Sequence, residues 1–412
     1  MTRNARGLAV TLTLLCIGYV WTPAASPCTL ALISGQAAKN GRALMWKNRD
    51  TTEVDNKLMH IKGPKFAFTA LINAADAKGD EVWGGLNTAG FAVMNSQAND
   101  LADAAKKHDG AGNGALMKLA LGECATVEDF ERLLIREKGR FDLAANFGVI
   151  DAQGNACFFE TSSSSFQKFD TRDPRVAPFG TIVRTNFAFT SPDPMEGGGF
   201  IRFERISRVV GAARGENRLD VRFILQEAAR DLVHEKLHSY PLVRPLPDDP
   251  AEPLFINTND TINRNSSVSV LLFEAAPSPD KAHLATMWVI LGQPVTGVAV
   301  PVWPFAGKVP AVTAGPGTAP LNNFSRALTA YLYPDSRGRM PQYLSVSRLR
   351  TSGGEGVLPK LLRIEDGVLD ATAAMLAKWE AAGPLPEKVG EFQESTASAV
   401  HEAMKREFPD IR

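Results

Sequence analysis

The sequence predicts an α+β fold, sheets covered by helices, and three observations predict it. Strand-like segments come in runs, at 28–97, 146–184 and 268–291, with helix-period segments between the runs rather than after every strand. No Gly-x-Gly-x-x-Gly stretch follows a strand, which removes support for a dinucleotide-binding βαβ unit. The end of the chain is helical in period and set apart by a Pro/Gly-rich stretch at 301–320.

Taken in order, 28–33 is a short apolar run, Asn40-Gly41 supplies a turn, and 43–50 runs back, which is a hairpin pattern. A further strand is expected at 66–72. The runs 81–86 and 91–95 flank Asn87-Thr88-Ala89-Gly90, turn chemistry between apolar segments. The period then changes to helical at 114–122 and 127–137, and Thr126 with Asp129 three residues later is a capping signature. Strands return at 146–150 and 156–160, joined by Asp151-Ala152-Gln153-Gly154-Asn155, and continue at 166–169 and 181–184. Helices are expected at 200–213 and 221–232, then strands at 268–273 and 284–291, then helices at 361–382 and 385–408.

Across 412 residues Lys+Arg 45 balances Asp+Glu 45, so there is no basic stripe for nucleic acid. At the N-terminus, Arg3 and Arg6 precede an apolar run at 8–21, followed by Pro23-Ala24-Ala25-Ser26. That is the pattern of a cleaved secretory signal, and it places the expected product in the periplasm or outside the cell. No later run is long enough to cross a bilayer, so no membrane partner is expected once the signal is gone. Cys16 leaves with that segment, and Cys124 and Cys157 are expected as buried, unpaired thiols. His234 and His238 are expected to share a helix face, with no third ligand nearby to make a metal site.

Chemistry concentrates behind the signal. If the peptide bond before Cys28 is cut, by a signal peptidase or by autoproteolysis, one residue supplies a thiol nucleophile and an α-amino base. The amine suits the task because its ordinary pKa lies near neutrality. In a strand over 43–50, Asn48 and Asp50 point together, opposite Lys47 and Arg49. A carboxylate there would orient the amine, although the cluster alone also fits a charged strand end. Asn95 ends an apolar strand and could donate its side-chain amide to a developing oxyanion, or simply close a turn. Arg184-Thr185-Asn186-Phe187 and Asn263-Arg264-Asn265 place further polar groups at strand ends.

Together these residues carry a resemblance. Cys28-Thr29, Asn40-Gly41, Lys47-Asn48-Arg49-Asp50, the Gly-Leu-Asn-x-x-Gly turn at 85–90 and Thr185-Asn186 resemble the N-terminal-nucleophile cysteine amide hydrolases. Within these, the chain is similar to the acyl-coenzyme A:isopenicillin N acyltransferase group and its bile-salt (choloylglycine) hydrolase and penicillin V acylase relatives. The resemblance implies a four-layer αββα sandwich over 28–304, preceded by a signal or short propeptide at 1–27. A linker and helical extension at 305–412 lie outside it. It implies Cys28 as nucleophile, Asp50 as the holder of its amine, and Asn95 and Asn186 as oxyanion and amine-positioning groups. Lys47 stands where bile-salt hydrolases have an arginine, and Arg264 matches a late catalytic arginine. Pro27 departs from the small residue that often precedes the cysteine, and the longer gap from Cys28 to Asp50 favours the acyltransferase-like branch.

The expected activity is hydrolysis of a linear amide bond in an N-acylated small molecule through a thioester, with no cofactor and no metal. An acyltransferase or a dipeptidase of the same superfamily remains an alternative, as does a non-catalytic secreted binding protein. Association into a homo-oligomer is left open.

Overall fold

The computed structural model describes residues 28–101, 110–240, 242, 245–335 and 340–411. The expected signal segment, Cys16 included, lies outside the described residues.

Strands β1 (Thr29–Ile33) and β2 (Leu44–Asp50) form the predicted antiparallel hairpin, with Thr29 opposite Asn48. Then come β3 (Asn56–Lys62), β4 (Ala67–Asn73), β5 (Gly84–Asn87) and β6 (Ala92–Gln97). Helices α1 (Asn113–Glu123) and α2 (Val127–Arg136) follow, the second opened by the full Thr126/Asp129 capping box. The chain returns to strands at β7 (Ala144–Ile150), β8 (Ala156–Ser162), β9 (Phe166–Asp170) and β10 (Thr181–Arg184). After α3 (Phe200–Gly215) and α4 (Val221–Gln226) come β11 (Phe255–Asn257), β12 (Ser267–Glu274), β13 (Thr286–Leu291) and β14 (Val300–Val302). The tail holds α5 (Pro320–Leu332), β15 (Tyr343–Ser345), α6 (Val346–Leu349), α7 (Val357–Ala382) and α8 (Pro386–Glu407).

One sheet runs β10-β1-β2-β12-β13-β14 and the other β3-β4-β5-β6-β7-β8-β9, with β11 and β15 paired apart. The two large sheets face each other. The outer face of the second carries α1 and α2, where Phe130 meets Phe147 and Phe159 edge-on. The outer face of the first carries α3 and α4, with Ile206, Val210, Phe223 and Ile224 buried in the main core. The architecture is an α+β sandwich of four layers, αββα, with a C-terminal helical extension. Each fully buried large apolar side chain of such a core contributes ~1.5–3 kcal/mol, which is why both faces of β2 can be buried although its sequence is half polar.

The sheets pack closely against each other at Gly84. A Cβ there would lie 2.6 Å from Leu271 Cδ1, and the residue's φ of +150° is one that side-chain-bearing residues rarely adopt.

The tail shares the main core. Leu321, Leu328, Leu361 and Val368 pack into the same cluster as β1, β2 and β12.

Three expectations are corrected. The helix foreseen at 221–232 stops at Gln226 and gives way to a short 3-10 turn at Ala228–Arg230. The Leu225 carbonyl, needed for another helical turn, accepts instead from Arg230 Nη1 at 3.0 Å. His234 and His238 therefore share no helix; they form an isolated antiparallel bridge with rings 6.0 Å apart. The strand β14, at the start of the Pro/Gly-rich stretch, went unforeseen because Pro301 sits within it, at a sheet edge where a missing N–H is tolerated. Cys124 and Cys157 are buried free thiols, as expected, each pushed up to about 12 by burial. Among the described residues no cluster could hold a metal ion, and no helix is long and apolar enough to cross a membrane.

Candidate active site

The charged half of β2 is arranged by strand alternation. Met45, Lys47 and Arg49 face the second sheet, and Asn48 and Asp50 face the helices, as the period of two requires. Asn48 donates to the carbonyls of Ala229 and Ile262 at 2.8 and 3.1 Å. Lys47 reaches across the sandwich, donating to the Trp83 carbonyl and to Asn95 Oδ1, both at 3.0 Å. A lysine can only donate, so it fixes the Asn95 amide with its oxygen toward Nζ and its NH₂ turned away.

Cys28 sits at the lip of β1, 4% exposed, between the ends of β10 and β2 in its sheet. Its carbonyl accepts from Arg202 Nη1 at 2.7 Å, and the same nitrogen donates to Thr29 Oγ1 at 2.9 Å. Arg202 Nη2 donates to Asn186 Oδ1 at 2.8 Å, and Asn186 Nδ2 donates to the Gln97 carbonyl at 2.9 Å. Asn186 thus braces β6 against α3. Its loop is held by Glu160, which accepts from Arg184 Nε at 3.0 Å and from the backbone N–H groups of Phe189 and Thr190.

Asp50 is buried on the far side of β2. Its Oδ1 accepts from Ser267 Oγ at 2.6 Å, and Arg264 Nη1 stands 4.0 Å from Oδ2. Oδ2 has no hydrogen-bond partner among the described residues. Burial pushes the carboxyl up to about 6, against the pull of Arg264, Arg202, the Ser267 hydroxyl and Lys47. Burial likewise brings Lys47 down to about 8.

A cleft of ≈ 380 Å³ opens at this end of the two sheets, lined by Cys28, Lys47, Arg49, Trp83, Asn95 and Gln97 among others. Among the described residues no histidine lines it. Of the six residues singled out in the sequence, Cys28, Lys47 and Asn95 line the cleft. Asp50 lies behind β2 with Arg264 beside it, and Asn186 reaches the group through Arg202 and Gln97.

Arg202 was not foreseen. Its signal was present, since it stands in helical phase with Ile206, Val210 and Ala213 on the buried side of α3, where an arginine is out of place.

Residues 37–206 match the family model described as acyl-coenzyme A:6-aminopenicillanic acid acyl-transferase. The resemblance read from the sequence is borne out. Cys28 and Arg264 lie on either side of the matched segment. Among solved structures the chain is similar to penicillin V acylase from Agrobacterium tumefaciens, at 14% identity and a TM-score of 0.38, covering 67% of this chain and 86% of that one. It is also similar to a mutant conjugated bile acid hydrolase from Clostridium perfringens, at 10% identity and a TM-score of 0.35, over 64% of this chain and 89% of that one. These likenesses are remote, and the fold is assigned from the layers themselves. No curated protein sequence matches the chain.

Proposed function

We propose that this protein is an N-terminal-nucleophile amide hydrolase that cleaves the linear amide bond of an N-acylated small molecule through Cys28. Cleavage before Cys28 in a secreted or periplasmic precursor would expose its amine. The observation that carries the reading is the convergence of a buried cysteine, a lysine-oriented asparagine and an unsatisfied buried carboxylate oxygen at one end of the sandwich. The acyl-transferase family match supports the same chemistry.

In this mechanism Cys28 Sγ attacks the amide carbon while its proton passes to the Cys28 α-amine. The oxyanion is held by Asn95 Nδ2 and a backbone N–H. Collapse breaks the C–N bond, and the leaving amine takes the proton from the α-ammonium, leaving a thioester. Water, deprotonated by the same amine, then releases the acid. An amine in place of water would give acyl transfer, the activity named by the matching family, so the acceptor decides between the two. Asp50 Oδ2 supplies the acceptor that an α-ammonium needs in this buried setting.

The test is mass spectrometry of the mature N-terminus combined with turnover of acyl amides. A chain beginning at Cys28 is expected, inactive as Cys28→Ala and retaining a trace as Cys28→Ser. Wild-type turnover in Cys28→Ala, or in a chain that keeps a methionine ahead of Cys28, would overturn the mechanism.

A further inference from the structure

Cleavage before Cys28 creates a mechanical problem. A residue at a new chain end keeps one covalent tether where it had two, and chain termini fray unless they are tied down. The paired residues of β1 begin only after it, at Thr29 against β2 and at Leu30 against β10. The reacting group nevertheless has to be held closely, because a misplacement of about 1 Å can cost ~10²-fold in rate.

Arg202 is placed to supply the tie. It is 1% exposed, and its fork is directed at neutral oxygens. Nη1 donates to the Cys28 carbonyl at 2.7 Å and to Thr29 Oγ1 at 2.9 Å, while Nη2 donates to Asn186 Oδ1 at 2.8 Å. Because the guanidinium is planar and rigid, fixing one nitrogen orients the other. The position defies two local rules. Arg202 is the third residue of α3, where the helix dipole disfavours a cation, and it lies on the buried side of that helix. Local rules are broken in this way mainly where function demands it.

The surroundings are shaped to the guanidinium. Gly199, the residue ahead of α3, has a φ of +80°, and a Cβ there would lie 2.4 Å from Arg202 Nη2 and 3.0 Å from its Cζ. Asn186 and Gly198 exchange backbone hydrogen bonds at 3.2 and 2.9 Å, and Thr185 Oγ1 donates to the Gly199 carbonyl at 3.2 Å. The loop carrying Asn186 and the start of α3 are thus one unit, with the guanidinium lying across it. From that unit Nη1 reaches Cys28 on its carbonyl side, so the contact does not depend on the bond that is cut.

We propose that Arg202 is a positioning residue, a clamp that holds the first residue of the processed chain by its carbonyl and so keeps Sγ and the α-amine at the cleft. The proposal rests on the hydrolase reading with processing at Cys28. The competing role is a plain structural brace between α3 and β1, which would lower the denaturation midpoint when removed but leave the terminus in place.

The experiment uses the chain that begins at Cys28, released by a site-specific protease if the cell does not expose it, alongside Arg202→Met and Arg202→Lys. Cyanobenzothiazole condenses with a terminal cysteine through its thiol and amine together. Its rate, read by mass spectrometry, therefore reports how often the first residue swings clear. Loss of a charge-assisted hydrogen bond is expected to raise that rate ~10–100-fold in Arg202→Met. Arg202→Lys keeps the charge and loses the fork, so its rate should lie between; it decides the matter if the methionine variant does not fold. With hexanoyl-p-nitroanilide as substrate, kcat should fall ~10²-fold in Arg202→Met while KM changes little. A labelling rate unchanged in whichever variant folds overturns the clamp. Faster labelling in the variants, with no turnover of acyl amides by the unmutated chain, upholds the clamp and sinks the hydrolase reading. Turnover by the unmutated chain with labelling unchanged in the variants does the reverse.

Discussion

Asp50 shows how one carboxylate is held at a site that does not favour its charge. Its environment is cationic, yet desolvation outweighs the arginines and raises its pKa from 3.8 to about 6. A raised folded-state value means that its contribution to stability is fully present below pH 3.8 and lost as pH rises through 6. In a chain that keeps a residue ahead of Cys28, Asp50→Asn is therefore expected to be more stable than the parent at pH 8, by about 3 kcal/mol. The gain should disappear below pH 4. Denaturant midpoints at the two pH values check this, and an Asp50→Asn protein less stable at pH 8 would contradict it. In the proposed mechanism the same substitution in the processed chain removes the acceptor for the α-ammonium, so turnover is expected to fall ~10²–10⁴-fold with the fold retained. Stability and activity move in opposite directions at this position.

At the scale of elements, local chemistry was legible wherever a short-range rule governed it. The Thr126/Asp129 box is one such case: Asp129 N–H donates to Thr126 Oγ1 at 3.1 Å, and the Thr126 N–H donates to Asp129 Oδ2 at 3.1 Å. Thr126→Ala is expected to cost about 1 kcal/mol in chemical denaturation and leave kcat/KM unchanged, because α2 lies on the outer face of the second sheet. A changed kcat/KM would mean that α2 reaches the cleft. The hairpin of β1 and β2 was legible for the same reason, Gly41 taking the positive φ of +77° that its Asn-Gly turn demands. What the sequence hid depends on distant partners. Nothing local reveals that the Leu225 carbonyl is claimed by Arg230, or that Arg202 leaves its helix to bind the Cys28 carbonyl. Strand alternation separated Asp50 from Lys47 and Arg49 correctly, but only the second sheet shows which face becomes the cleft.

For the molecule as a whole, the helical tail is tied to the layers of the sandwich by a buried ion pair. Arg230 donates to Glu365 Oε1 and Oε2 at 2.7 and 2.8 Å, and Glu365 also accepts from the Ala299 N–H at 2.7 Å. Both side chains are almost wholly buried. Arg230→Met leaves the carboxylate without its counter-charge and is expected to destabilise the fold by ~3–5 kcal/mol. Arg230→Met with Glu365→Gln should recover part of that loss, since the buried charge is then gone. Equal destabilisation in the single and double variants would show that packing around Arg230, and not the pair, is what matters.

The tail also grips the segment after β2. Asn322 Nδ2 donates to the Val54 carbonyl at 3.2 Å, Arg326 pairs with Asp55 at 2.5 Å, and Lys57 Nζ donates to the Gly317 carbonyl at 3.3 Å. Thr51, Thr52 and Glu53, which line the cleft, lead directly into that grip. The family pattern ends at residue 206, so the floor of the cleft and the posture of its mouth are written in different parts of the gene. Two proteins alike throughout the matched segment could carry the same lysine and asparagine on the cleft floor behind differently shaped entrances, and a substrate assigned from the matched segment alone would be assigned without sight of the door.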